Sequence, residues 1–111
     1  MKKILLILII SLSPTASLAA QYGIFGSGWS TCASVIKNTD EKDAIYEYMY
    51  TSWIMGYFTG QNKQLSVATG KTQEIGRDHM DALYAASIKY CRDNLLDRFE
   101  DAVSNVFNQL K

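Results

Sequence analysis

Ile45-Tyr46-Glu47-Tyr48-Met49-Tyr50-Thr51-Ser52-Trp53-Ile54-Met55-Gly56-Tyr57-Phe58-Thr59-Gly60-Gln61 is the stretch whose reading decides the fold. Ile45, Met49, Ser52, Trp53, Gly56 and Gly60 recur at three- and four-residue intervals, the spacing of one helix face. Tyr46, Tyr50, Ile54 and Tyr57 widen that face. Apolar groups over so much of the circumference predict a central helix. Its start is expected near Asn38 to Asp40, where Asn38 and Glu41 have capping-box spacing. Its end is expected at about Gln61, before a loop from Asn62 to Lys71 that contains Gly70 and several small polar residues.

Working outward, Gln21 to Gly28 is glycine-punctuated and aromatic, which suits an irregular arm lying on the core. Trp29 is expected to open a short helix capped by Ser30, with Trp29, Ala33 and Ile36 on one face beside Cys32. A third helix should begin between Thr72 and Asp78 and end around Cys91. Ile75, His79, Leu83, Ala86 and Tyr90 line one of its faces, with Met80, Tyr84 and Ile88 on a neighbouring stripe. Asn94 and Asp97 are candidate caps for a fourth helix, on which Leu96, Phe99, Val103, Val106 and Leu110 alternate by three and four. Asp93, Asp97, Glu100 and Asp101 gather near its start, where the helix dipole favours negative charge. Proline is absent after Pro14 and no strand pattern competes. The expected fold is all-α, a small bundle of about four helices in one domain over residues 20–111.

The beginning of the chain carries an address. Lys2 and Lys3 precede an apolar stretch, Ile4 to Ile10 plus Leu12, and Pro14 to Ala20 supplies a helix break and small residues. This is the pattern of a secretory signal peptide over residues 1–19, with cleavage after Ala19 or Ala20 leaving a chain that starts near Gln21. The apolar run is about half the roughly 18 residues needed to span a bilayer, so no membrane anchor is expected after cleavage. The leader suits a bacterium, and the expected location is the periplasm. Eleven Lys and Arg balance eleven Asp and Glu in the full chain. Removing Lys2 and Lys3 leaves a net charge near minus two, which excludes the basic surface of a nucleic-acid binder.

Cys32 and Cys91 are the two cysteines. In an oxidising compartment they allow one intramolecular disulfide, unless each seeks another chain. Closing a loop of about 60 residues would stabilise the fold by something on the order of 4 kcal/mol. That is a large addition for a domain whose buried fraction is modest. There is no C-x-x-C, so a structural bridge is favoured over a redox or metal pair.

Candidate chemistry is sparse. His79 is the only histidine, and Asp78 and Asp81 cannot share its helix face. That leaves no metal set, no cofactor site and no catalytic residues. Asp97 and Asp101 lie one turn apart, but charges near a helix start explain them. No enzymatic activity is therefore expected. Gly56 and Gly60 form G-x-x-x-G, read with Trp53 as a helix-packing face that lets another backbone approach closely. Around it lie more aromatics than one buried stripe requires. Tyr46, Tyr50, Tyr57 and Phe58 are the candidate protein-binding residues, because tyrosine combines large apolar area with a polar tip. The alternative, that these rings fill the core, stays open. A homodimer is a further option the sequence leaves open.

The leader, Trp29-Ser30-Thr31-Cys32, Trp53-Ile54-Met55-Gly56-Tyr57 and Tyr90-Cys91-Arg92-Asp93-Asn94 together resemble small periplasmic helical proteins of the HdeA-like and Rap-type immunity groups. The resemblance implies a helical bundle with Cys32 bridged to Cys91 and no enzymatic activity. HdeA-like proteins are acid-activated chaperones of stress-denatured clients. Rap-type proteins neutralise cell-wall-degrading effectors of the type VI secretion system. Two departures are a cysteine spacing longer than in the acid chaperones and Leu95 where related sequences place proline. The leading expectation is a non-enzymatic, immunity or inhibitor type of protein that binds a partner protein; the alternative is an acid-stress chaperone.

Overall fold

The computed structural model describes residues 23–74 and 79–110. The expected leader, residues 1–19, and the expected helix position Ile75 lie outside the described residues. Among those described, a 3-10 turn (Gly26–Trp29) precedes four helices, α1 (Cys32–Asp40), α2 (Ala44–Thr69), α3 (Met80–Asp93) and α4 (Phe99–Gln109). There is no strand among them, only one isolated antiparallel bridge between Thr31 and Arg98. The fold is all-α, and one disulfide joins Cys32 to Cys91.

Local chemistry sets the boundaries, and several differ from expectation. Thr31, not Ser30, caps α1, its hydroxyl accepting from the Ser34 N–H at 3.3 Å. Trp29 therefore sits outside the helix, more than half exposed. Asn38 lies within α1 and caps nothing; α2 starts later, where Asp43 accepts from the Ile45 N–H at 3.0 Å. Between the helices Lys42 adopts φ 55°, a left-handed conformation that makes the corner. Asn62 to Thr69 of the expected loop are instead the last two turns of α2. Nothing in Asn62 to Thr69 breaks a helix, and the stop is Gly70, at φ 70° with its N–H on the Ser66 carbonyl. Asn62 then clamps the returning chain, its amide both donating to the Gln73 carbonyl (3.0 Å) and accepting from the Gln73 N–H (2.9 Å).

α4 is the hub. Phe99, Ala102, Val103, Val106 and Phe107 are buried, against Val35 and Cys32 of α1, Tyr50, Ile54 and Phe58 of α2, and Leu83, Ile88 and Cys91 of α3. Two ring pairs fix α2 on α4: Tyr50 with Phe99 at 5.0 Å and Phe58 with Phe107 at 5.1 Å between centroids. Both pairs advance by eight residues on each helix, so α2 and α4 run in the same direction. The stripe of α2 facing inward is thus Tyr50, Ile54 and Phe58. Ile45, Met49, Gly56 and Gly60, expected on the packed face, are exposed. Ala86 of α3 and His79, which precedes the helix, are exposed, and Ser87 is buried instead, its hydroxyl on the Leu83 carbonyl.

Candidate protein-binding surfaces

The first turn of an α-helix leaves N–H groups without intrahelical partners. In α1 the α3–α4 junction supplies them: Cys32 N–H donates to the Asp97 carbonyl (2.7 Å) and Ala33 N–H to the Leu95 carbonyl (3.1 Å). Phe99 N–H returns the contact to the Ser30 carbonyl at 2.8 Å. The Cys32–Cys91 disulfide lies buried beside this crossing. The junction is also braced from within. Asp97 N–H donates to the Asn94 carbonyl (3.0 Å), and Tyr90 Oη donates to Asp97 Oδ2 (2.6 Å). The hydrogen bond to Asp97, with lesser contributions from burial and nearby carboxylates, pushes the Tyr90 hydroxyl up to about 12. Asp97 does not cap α4; Arg98 is the N-cap residue, and its N–H donates to Asp101 Oδ2 at 2.9 Å.

On this fixed backbone sit exposed apolar side chains. Leu96, expected to open the buried stripe of the last helix, is 98% exposed because α4 starts three residues later. Leu95 is half exposed. At the other end of the crossing the Arg98 guanidinium lies 3.6 Å over the ring of Trp29 and donates to its carbonyl. Tryptophan and arginine are the residues most enriched at interface hot spots. Farther along, Arg92 of α3 pairs with Asp40 of α1 at 2.6 Å, and the guanidinium holds the Asp40 carboxyl below its usual range. Both groups are well exposed, so the pair contributes little to stability.

A second surface is the outer face of α2. Ile45 (59%), Tyr48 (72%), Met49 and Met55 are exposed along it. A Cβ built on Gly56 or Gly60 meets nothing within 4 Å, so the close helix approach expected there is not made within the described chain. Gly28 is the glycine that does permit close packing. A Cβ there would overlap the Trp53 ring, whose Nε1 donates to the Phe25 carbonyl at 2.8 Å and straps the N-terminal arm onto α2.

The four aromatics expected to bind a partner do not form one surface. Tyr50 (2% exposed) and Phe58 (4%) belong to the core, because Phe99 and Phe107 claim their faces. The Tyr50 hydroxyl accepts from Asn38 Nδ2 at 2.9 Å, and burial, outweighing that bond, pushes its pKa up. Tyr46 and Tyr57 are half-buried; Tyr57 stacks on Trp53 at 5.4 Å. Trp53 and Tyr57 also wall a groove of about 850 Å³ between the arm, α2 and α4, together with Gln61, Gln64, Ser104 and Asn108. The exposed Trp29 and Leu96 were not among the residues expected from the sequence to form a surface. An apolar pair, Leu95-Leu96, set between Asn94 and Asp97 in a polar junction was the available signal.

No group of three or more His, Cys, Asp or Glu among the described residues is placed to hold a metal ion. His79 is exposed and lines a second pocket of about 420 Å³ with Glu74, Leu83 and Val106. No described helix is long and apolar enough to cross a membrane. No family model matches the chain, and no curated protein or solved structure is significantly similar to it.

Proposed function

We propose that this chain is an exported protein-recognition module of the inhibitor or immunity type, acting in the periplasm through its disulfide end without catalysing a reaction. The observation that carries this reading is Leu96, almost fully exposed on a loop whose backbone is tied to α1 and backed by the disulfide. An exposed leucine on a mobile loop must be ordered before it binds, whereas here that cost is already met by the fold. Leu95 extends the apolar contact, and Trp29 with Arg98 adds a flat, cationic edge. Asp97 accepts from Tyr90 and Asp101 from the Arg98 N–H, so the carboxylates of this end act in holding the backbone. The test is capture from bacterial envelope extracts on immobilised, oxidised mature protein. Leu96→Asp and Trp29→Ala should each release a stoichiometric protein partner that the unaltered chain retains, with helicity unchanged. A partner that both variants still hold would refute the reading.

The acid-stress chaperone is the second reading, and one observation favours it. Asp40, Asp43, Asp97 and Asp101 each hold a junction as a carboxylate acceptor, at the α1–α3 ion pair, the start of α2, the Tyr90 bond and the start of α4. Asp40 has a lowered pKa, so its contribution is complete at neutral pH and lost as pH falls through that lowered value. The check is binding of an apolar dye between neutral pH and about pH 2, with refolding on return. Reversible exposure accompanied by protection of a denatured client would support the chaperone; an unchanged bundle would exclude it.

A further inference from the structure

We infer that the outer face of α2 is covered by a second copy of this chain, packed antiparallel across a two-fold axis at Ser52. α2 is apolar on both sides, but its neighbours within the chain cover one. Taking about 100° per residue, Tyr50, Ile54 and Phe58 face α4, and Ile45, Tyr48, Met49, Met55 and Gly60 lie on exposed surface, with Ser52 and Gly56 at the rim of the groove beside the N-terminal arm. A helix with apolar groups on both sides is ordinarily buried on both.

The pattern on the outer face identifies the occupant. Its large and bare positions are arranged as mirror halves about Ser52. Ile45 and Met49 stand on the N-terminal half; Gly56 and Gly60, with open space over them, stand on the same flank of the C-terminal half. An antiparallel copy places Ile45 over the second copy's Gly60 and Met49 over its Gly56. On the opposite flank Tyr48 meets the second copy's Met55, a sulfur–aromatic contact. Every projection on one copy thus finds a gap or a soft partner on the other, as an isologous interface requires.

Charge agrees with the same arrangement. No charged side chain lies on this face between Ile45 and Gly60; Glu47 falls roughly 140° from Ser52 around the helix. Pairing therefore buries no unpaired charge. Lys63, the first charged residue beyond on this face, is set by the antiparallel register against the start of the second copy's α2, where Glu41 and Asp43 flank Lys42. Each copy contributes apolar area on the order of 500 Å², which puts the interface at the lower limit for a specific dimer.

The test is sedimentation velocity of the oxidised mature protein from about 1 to 500 µM, with three variants. The unaltered chain should pass from monomer to dimer. Gly56→Leu should weaken dimerisation at least tenfold while keeping full helicity, since a Cβ at that position meets nothing within 4 Å in its own chain. Ser52→Cys should form an intermolecular disulfide under oxidation, and Lys89→Cys, on exposed α3 surface, should not. A chain monomeric throughout, a Gly56→Leu dimer of unchanged affinity, or Ser52→Cys that fails to cross-link would overturn the proposal. So would a monomer whose α2 face binds phosphatidylethanolamine–phosphatidylglycerol vesicles and loses them with Met49→Glu. The disulfide-end surface is separate, so failure of one proposal leaves the other standing.

Discussion

The disulfide end and the outer face of α2 both expose apolar side chains, and they do so by different means. At the disulfide end the exposed groups ride on a short irregular loop, and that loop is held because its carbonyls complete the first turn of α1. On α2 the exposed groups ride on a regular helix whose inner face alone is used by the core. A loop needs outside constraint before it can present a shaped surface, and here hydrogen bonds and the disulfide provide it. A helix needs none, so its outer face can be apolar only by composition. The first arrangement suits a specific contact; the second suits self-association.

The sharpest way to break the comparison is to remove the covalent tie. Replacing Cys32 and Cys91 with alanine should cost about 4 kcal/mol in chemical denaturation. Amide exchange should accelerate first at Cys32, Ala33 and Phe99, while the centre of α2 near Ile54 responds least. Uniform acceleration would mean that the two regions are not distinct.

Glycines give a second contrast. Gly28→Ala forces a methyl into the Trp53 ring, so it should destabilise by about 1–3 kcal/mol and free the arm, read as a change in tryptophan emission. Gly56→Ala adds a methyl to open space in the middle of a helix and should stabilise dilute protein by about 0.5–1 kcal/mol. Equal signs for the two substitutions would contradict the packing described for Trp53.

The smallest effect is an alkaline one confined to the disulfide end. Tyr90 is raised to about 12, so its bond to Asp97 contributes fully below about pH 10, the ordinary tyrosine value, and is lost as pH rises through 12. Stability of the unaltered chain should decline between those limits, and Tyr90→Phe should remove that component of the decline. A Tyr90→Phe profile superimposable on the unaltered one would show that the bond does not hold the junction.

Much of this architecture was legible in the sequence for physical reasons that can be named. The Cys32–Cys91 bridge needed only two cysteines, and the Phe99, Val103, Val106 stripe needed only periodicity. The choice of buried face on α2 was not legible, because periodicity identifies a face only when the opposite one is polar. There the partners decide: Phe99 and Phe107 select Tyr50 and Phe58, leaving Ile45 and Met49 outside. Leu96 fitted the three-four spacing of α4 yet falls outside it, because the Arg98 N–H to Asp101 contact starts the helix later. Helical signals also failed to end α2 correctly, since polar residues from Asn62 to Thr69 favour a loop only when a breaker accompanies them, and Gly70 comes at the end.

The central claim is that the Asn94–Arg98 loop is ordered before any partner arrives. Native-state hydrogen exchange on the free, oxidised protein tests it most directly. The amides of Cys32, Ala33, Asp97 and Phe99 should be protected nearly as strongly as those at the buried centre of α4, although Leu96 between them is in water. Exchange at those four amides as fast as in an unstructured chain would contradict the account.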